Sequence, residues 1–122
     1  MNPAKQVVQA TLVIYKGLPF SQTFLYQTSE GRPVDITGKK ARLQLRSSPD
    51  NPAVLYDFST DNGKISCNLG EIRIFGMTDV ETAEFDWVQA VGHLVVEEIA
   101  GKPLPLAYLL FNVQPTTTGV PL

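Results

Sequence analysis

The sequence predicts an all-β fold, an antiparallel β-sandwich of about seven or eight short strands with one short helix. Short stretches rich in Val, Ile, Leu, Tyr and Phe alternate in polarity with a period of two, as strands that bury one face do. Nine glycines and nine prolines separate these stretches and supply the turns between them. At 122 residues, with 43% hydrophobic residues, the chain has material for one packed core. We therefore expect a single domain over residues 1–122, with arms at residues 1–6 and 115–122.

The first two predicted strands cover residues 7–15 and 20–27, and a break at residues 17–19 lies between them. Three aromatic residues of the second strand share one face, because side chains alternate from face to face along a strand. We expect these two strands to pair or to lie close together.

The clearest alternation lies in residues 41–46, where three apolar residues alternate with Arg, Gln and Arg. This is the pattern of a half-buried strand in an antiparallel sheet. Turn-rich residues 29–33 and a short alternation over residues 34–38 precede it, and a loop at residues 47–52 follows. A further strand over residues 54–59 ends in Asp-Asn-Gly, a strong turn signal, so we expect the chain to reverse there in a hairpin turn.

The parity of the apolar residues shifts at Gly70, since they occupy odd positions from Ile65 and even positions from Ile72. A tight turn at this glycine explains the shift better than a bulge.

Thr78 and Glu81 have the spacing of a capping box, in which each side chain bonds to the backbone of the other residue. They predict one short helix between strands.

The last two predicted strands cover residues 91–98 and 104–113 and form a hairpin through a loop at residues 99–103 with glycine at its tip. Apolar residues occupy both faces of the final strand, which indicates a central strand covered on both sides. Alternatively, its outer face meets a partner chain.

Composition and charge exclude several classes of partner. The net charge is −2 and the basic residues are scattered, so we expect no nucleic-acid partner. No apolar run approaches the roughly 20 residues of a membrane-spanning helix, so we expect no membrane partner. The single Cys67 cannot form an intramolecular disulfide, and no signal peptide is recognisable, so we expect synthesis in a reducing cytoplasm.

No catalytic, cofactor-binding or metal-binding motif is present in the sequence. Nucleophile-elbow and phosphate-loop patterns are missing, and His93 is the only histidine. Residues 57–63 match a calcium loop poorly, because the glycine falls one place late. Glu97 and Glu98 leave opposite faces of a strand, and Cys67 is expected to be a buried, inert thiol. We predict no enzymatic activity and no cofactor.

Three segments of the chain resemble a known family. Residues 17–24 read GLPFSQTF, residues 31–38 read GRPVDITG and residues 41–46 read ARLQLR. Together they resemble the small immunoglobulin-like proteins and N-terminal domains encoded among phage tail and baseplate genes. These typically show G-x-x-F-x-x-x-F, then G-x-P-x-D-L-T-G, then a strand ending in Arg. The similarity in order and spacing extends from about Tyr15 to Val113.

The resemblance implies an immunoglobulin-like sandwich that serves as a virion component, held by protein contacts in several copies. It implies no catalytic residues. In one departure from the family pattern, Gly92 and His93 precede Leu94, where members often carry Tyr-Asp.

Two functional hypotheses follow. The first is a non-enzymatic structural component of a phage particle (tail, baseplate, neck or fibre-anchoring module). It would be made in the bacterial host cytoplasm, located in the virion, docked on other virion proteins and assembled as a homo-oligomer. Its candidate interface residues are Trp87, Tyr108, Pro115, Val120 and Leu122. The alternative is a receptor- or carbohydrate-binding module that uses exposed Trp87, Tyr56 or Tyr108 as stacking surfaces.

Overall fold

The fold is a two-sheet β-sandwich with one short helix, in a computed structural model that describes residues 8–116. Its elements in chain order are β1 (Val8–Tyr15), β2 (Phe20–Leu25), β3 (Lys40–Leu45), β4 (Tyr56–Ser59), β5 (Ile65–Asn68), β6 (Glu71–Met77), α1 (Asp79–Ala83), β7 (Gln89–Ile99) and β8 (Lys102–Gln114). The predicted fold class is confirmed.

The two sheets have an immunoglobulin-like strand order. One sheet has five strands in the order β1-β8-β7-β3-β4, and the other has three in the order β2-β6-β5. Immunoglobulin domains place strands B, E and D in one sheet and strands C, F and G in the other. Here β2, β6 and β5 correspond to the first group, and β3, β7 and β8 to the second.

The core lies between the sheets and is filled by alternate residues of each strand. In β3 the buried residues include Leu43 and Leu45, and in the facing β6 they are Ile72, Ile74 and Met77, all at most 1% exposed. The predicted period-two burial of these two segments is confirmed. Burying a large aliphatic side chain contributes about 1.5–3 kcal/mol, so this alternation is the main source of stability for both sheets.

The expected pairing of β1 with β2 is wrong. β1 lies parallel to β8, with Leu12 opposite Phe111, whereas β2 pairs with β6 in the other sheet. Each of the first two strands has an apolar face that must reach the core, and placing them in opposite sheets buries both faces. The five-stranded sheet is therefore mixed rather than purely antiparallel.

The turn at residues 61–63 is present, but it does not form the expected hairpin. β4 belongs to the five-stranded sheet and β5 to the three-stranded one, so the turn carries the chain across the sandwich. The Asn62 side chain folds this turn back on β4, since its Nδ2 donates to the Asp57 carbonyl at 3.0 Å. Its Oδ1 also accepts from the Ser59 N–H at 3.0 Å.

The predicted turn at Gly70 and the predicted capping box are confirmed. Gly70 joins β5 to β6 with φ +71, a conformation that side-chain-bearing residues rarely adopt. At α1 the Thr78 hydroxyl accepts from the Glu81 N–H at 3.1 Å, and the Glu81 carboxylate accepts from the Thr78 N–H at 2.8 Å.

The closing hairpin is confirmed, and the last strand is central in its sheet, but the expected cover on both of its faces is wrong for residues 8–116, where Leu104 is 39% exposed and Tyr108 and Leu110 are half-buried. β7 and β8 pair from Gln89 opposite Asn112 to Ile99 opposite Lys102, with two register shifts. β8 lies between β1 and β7 and buries Leu109 and Phe111 completely.

Candidate functional site

A groove of about 680 Å³ runs across the outer face of the five-stranded sheet, on the side away from the core. We call it the outer groove. Outward-facing positions of β3, β7 and β8 supply its floor because these strands are neighbours in the sheet. Its lining includes Arg42, Gln44, Arg46, Val91, His93 and Tyr108.

Gly92 lies in the middle of β7 at a buried, core-facing position and also lines the outer groove. A Cβ atom at this position would lie 2.4 Å from the backbone oxygen of Gln44 and 2.9 Å from Cδ1 of Leu43. The two strands therefore approach too closely for any side chain here.

Next to Gly92, the His93 and Tyr108 rings form an aromatic surface in the outer groove. The two residues are opposite each other on β7 and β8, and their ring centroids are 4.7 Å apart at an interplanar angle of 49°. Tyr108 is half-buried and His93 is exposed. A partner or ligand could therefore contact both rings.

Charged groups of both signs surround this aromatic surface. Arg42 lies 3.6 Å from the Asp57 carboxylate, and Lys40 is opposite Glu97 in the ladder between β3 and β7. Arg46 donates to the Gln44 side-chain oxygen at 2.8 Å. Because charges of both signs lie close together, the outer groove has no strong field to select a highly charged ligand.

Two observations on the described residues concern metal binding and the reactivity of the cysteine thiol. Within residues 8–116, no group of three or more His, Cys, Asp or Glu side chains is placed to hold a metal ion. Burial raises the pKa of the Cys67 thiol, which disfavours the reactive thiolate. The predicted burial of this cysteine is confirmed.

The structure separates the candidate interface residues. Tyr108 lies in the outer groove, whereas half-buried Trp87 packs on Phe85 with ring centroids 4.7 Å apart. Pro115 is exposed directly after β8. Val120 and Leu122 lie outside the described residues, as do the N-terminal arm and most of the C-terminal arm.

The candidate stacking residues of the carbohydrate hypothesis are also separated. Tyr56 is half-buried in the same aromatic cluster as Trp87 and donates its hydroxyl hydrogen to Glu81 at 2.8 Å. Both residues are half-buried, as Tyr108 is, and both pack on the core near α1. Of the three, Tyr108 lines the outer groove, and its neighbour His93 was not expected there.

The sequence contained one signal for this site. The alternation of residues 41–46 places Arg42, Gln44 and Arg46 on the solvent face of a strand, which the structure bears out. The sequence did not show which residues of β7 and β8 lie beside these three side chains, because that depends on the order of the strands in the sheet. The close approach at Gly92 likewise depends on the tertiary structure.

Comparisons with known proteins leave the family undefined. No protein-family model matches the chain, and no curated protein is similar to it. Among residues 8–116, no helix is long and apolar enough to cross a membrane.

Proposed function

We propose that this protein is a non-enzymatic structural component of a phage particle that docks on other virion proteins through the outer groove. The observation that carries the proposal is the apolar and aromatic centre of a sheet face directed away from the core. The resemblance of residues 15–113 to phage immunoglobulin-like proteins supports the assignment to a particle.

The outer face differs from the usual solvent face of an antiparallel sheet, which is polar. Val91 and Val95 on β7 and Tyr108 and Leu110 on β8 are all directed outward and only half-buried. Paired charges such as Arg42 and Asp57 surround them. An apolar centre within a polar rim is the usual composition of a protein interface.

A complementation experiment tests this proposal. A phage that lacks the gene is supplied with wild-type protein, with a Tyr108→Ala/His93→Ala variant, or with Thr23→Ala as a control on the exposed face of the other sheet. We expect the groove variant to fold, as judged by circular dichroism, but to lower its own incorporation and the infectious titre at least about tenfold. The control should behave as wild type.

Two results would contradict the proposal. Normal, infectious particles from the phage without the gene would exclude a structural role. Normal incorporation of the groove variant would exclude docking through this face.

A second candidate function is carbohydrate binding in the same groove. It is favoured by the adjacent His93 and Tyr108 rings and by the planar polar side chains of Gln44 and Arg46 beside them. A glycan array of bacterial surface sugars separates the two functions. Binding that is lost in Tyr108→Ala would support the carbohydrate function. If no sugar on the array bound the protein, the carbohydrate function would be excluded.

A further inference from the structure

Within residues 8–116 the sandwich has four edge strands, and three of them carry features that block the addition of another strand. The edges are β1 and β4 in the five-stranded sheet and β2 and β5 in the three-stranded sheet. An edge strand presents unpaired N–H and C=O groups to other chains, so native proteins commonly protect it with bulges, prolines, charges or covering loops.

The turn after β4 covers the edge of that strand. The side chain of Asn62 bonds to the outward carbonyl of Asp57 and to the outward N–H of Ser59, each at 3.0 Å. The Lys64 N–H donates to the Ser59 carbonyl, also at 3.0 Å. The side-chain amide thus takes the place of a neighbouring strand, and a second chain cannot use these backbone groups.

The edges of the three-stranded sheet are protected in other ways. β2 has a register irregularity between Phe20 and Gln22, and the Gln22 side chain donates to the Thr23 carbonyl at 3.2 Å. β5 has four residues, and residues 34–36 cover its end, where the Gly70 N–H donates to the Val34 carbonyl at 2.8 Å. Both strands are poor templates for pairing.

Prolines protect the part of β8 that extends beyond β1. The ladder between these strands begins with Val8 opposite Ala107, so residues 102–106 have no β1 partner among the described residues. This segment contains Pro103 and Pro105, which have no N–H to donate.

β1 lacks every one of these features. Its eight residues, VQATLVIY, include no proline, glycine or charge, and they pair with β8 without a register shift. The Lys16 N–H bonds to β8, so even-numbered residues of β1 use their backbone groups on that side. The backbone groups of Gln9, Thr11 and Val13 then point away from the sheet, where no strand lies within residues 8–116.

We propose that this open edge pairs antiparallel with β1 of a second copy of the chain, joining two five-stranded sheets into one continuous sheet. With Thr11 opposite the partner's Thr11, Gln9 falls opposite the partner's Val13. All outward backbone groups of these three residues then find partners, in about six hydrogen bonds, two for each facing pair.

The side chains of β1 suit pairing with themselves. A two-fold axis at Thr11 brings β1 against the same strand of the partner, so a charged edge would repel itself, and β1 has no charge. The facing Thr11 residues are a favourable cross-strand pair. Leu12, which is half-buried, would lose further contact with water against the partner's Ala10.

Sedimentation analysis of the full-length chain from about 1 µM to about 1 mM measures self-association directly. Thr11→Lys places two ammonium groups against each other at the axis, and Ser21→Lys adds the same charge at an exposed position of the protected β2. We expect wild type and Ser21→Lys to dimerise equally, and Thr11→Lys to lower the association constant at least about tenfold.

Amide hydrogen exchange gives an independent readout that needs no variant. Even-numbered amides of β1 should be protected at all concentrations, whereas those of Gln9, Thr11 and Val13 should become at least about tenfold slower as the dimer forms. A chain that stays monomeric to about 1 mM, or equal dimerisation of all three proteins, would overturn the proposal. If these three amides became protected only when a different virion protein was added, the edge of β1 would bind a strand of that protein. This result would also overturn the proposed β1 dimer.

This proposal does not depend on docking through the outer groove. Self-association is measured with the purified chain alone, and docking is measured by incorporation into particles. A negative result for the β1 dimer therefore does not contradict docking through the outer groove, and the reverse also holds.

Discussion

Gly92→Ala should destabilise the protein strongly, because the new methyl group has no space between β3 and β7. Its Cβ would lie 2.4 Å from the Gln44 carbonyl oxygen, against about 3.4 Å for ordinary contact, so one strand must move by about 1 Å. The strands resist this movement, since Arg46 and Val91 exchange hydrogen bonds of 2.9 and 2.7 Å on one side of the glycine. On the other side, Leu43 pairs with Leu94.

The expected loss in the free energy of unfolding is about 3–4 kcal/mol. Overpacking a core commonly costs about 1–3 kcal/mol. Weakening the two bonds between Arg46 and Val91 adds up to about 1 kcal/mol each. Since typical urea m-values are about 1–3 kcal/mol/M, the unfolding midpoint should fall by about 2 M.

Urea unfolding followed by circular dichroism measures this loss, with Gly31→Ala as the matched control. A Cβ at Gly31 meets nothing within 4 Å, but its φ is +86, so this substitution reports backbone strain without a clash. We expect the control to lose about 1–2 kcal/mol. A Gly92→Ala protein within about 1 kcal/mol of wild type would refute the close approach of the strands.

Three further substitutions test contacts that hold the ends and edges of the sandwich together. Thr82→Val should cost about 1–3 kcal/mol in thermal or urea unfolding, because the completely buried hydroxyl accepts from the Gly17 N–H at 3.0 Å; an unchanged stability would contradict this bond. Asn62→Ala should cost about 1–2 kcal/mol and should add self-association through β4, seen by light scattering as a larger mean mass than that of wild type at the same concentration; an equal mean mass would argue against edge protection. Burial and the hydrogen bond to Glu81 raise the pKa of Tyr56, so the folded state keeps this phenol protonated when the unfolded chain ionises above about pH 10. Wild-type stability should therefore fall more steeply than that of Tyr56→Phe as the pH rises through 10, and parallel denaturation curves across this range would contradict the bond.

Local chemistry made part of this fold predictable from the sequence. Leu43 and Leu45 alternate with polar residues, so their burial follows from strand geometry alone. The turn at Gly70 followed from a change of parity, and the capping box from the spacing of Thr78 and Glu81. In each case the determining residues lie within a few positions of one another.

The wrong predictions concern partners that are distant in sequence. β1 alternates as any edge strand does, and nothing in its residues indicates that it lies parallel to β8 at the other end of the chain. Likewise, Asn62 and Gly63 favour a turn whether the next strand continues in the same sheet or crosses to the other. The outer groove depends on such distant neighbours, because His93 and Tyr108 meet only through the pairing of β7 with β8.

The two proposals together lead to a last prediction. The two-fold axis of an antiparallel strand pair is perpendicular to the sheet, so a dimer joined at β1 would present both outer grooves on the same face. A partner with repeated docking sites could then bind both grooves at once, and its apparent affinity would rise by about 10²–10⁴ without new contacts.

Surface plasmon resonance measures this effect with the docking protein immobilised at high and at low density. Thr11→Lys should weaken binding on the dense surface to the level of a single site and leave binding on the sparse surface unchanged. Tyr108→Ala should weaken both, because it acts within each groove. Equal affinity of wild type and Thr11→Lys on the dense surface would mean that the two grooves do not act together, and that the β1 dimer plays no part in docking.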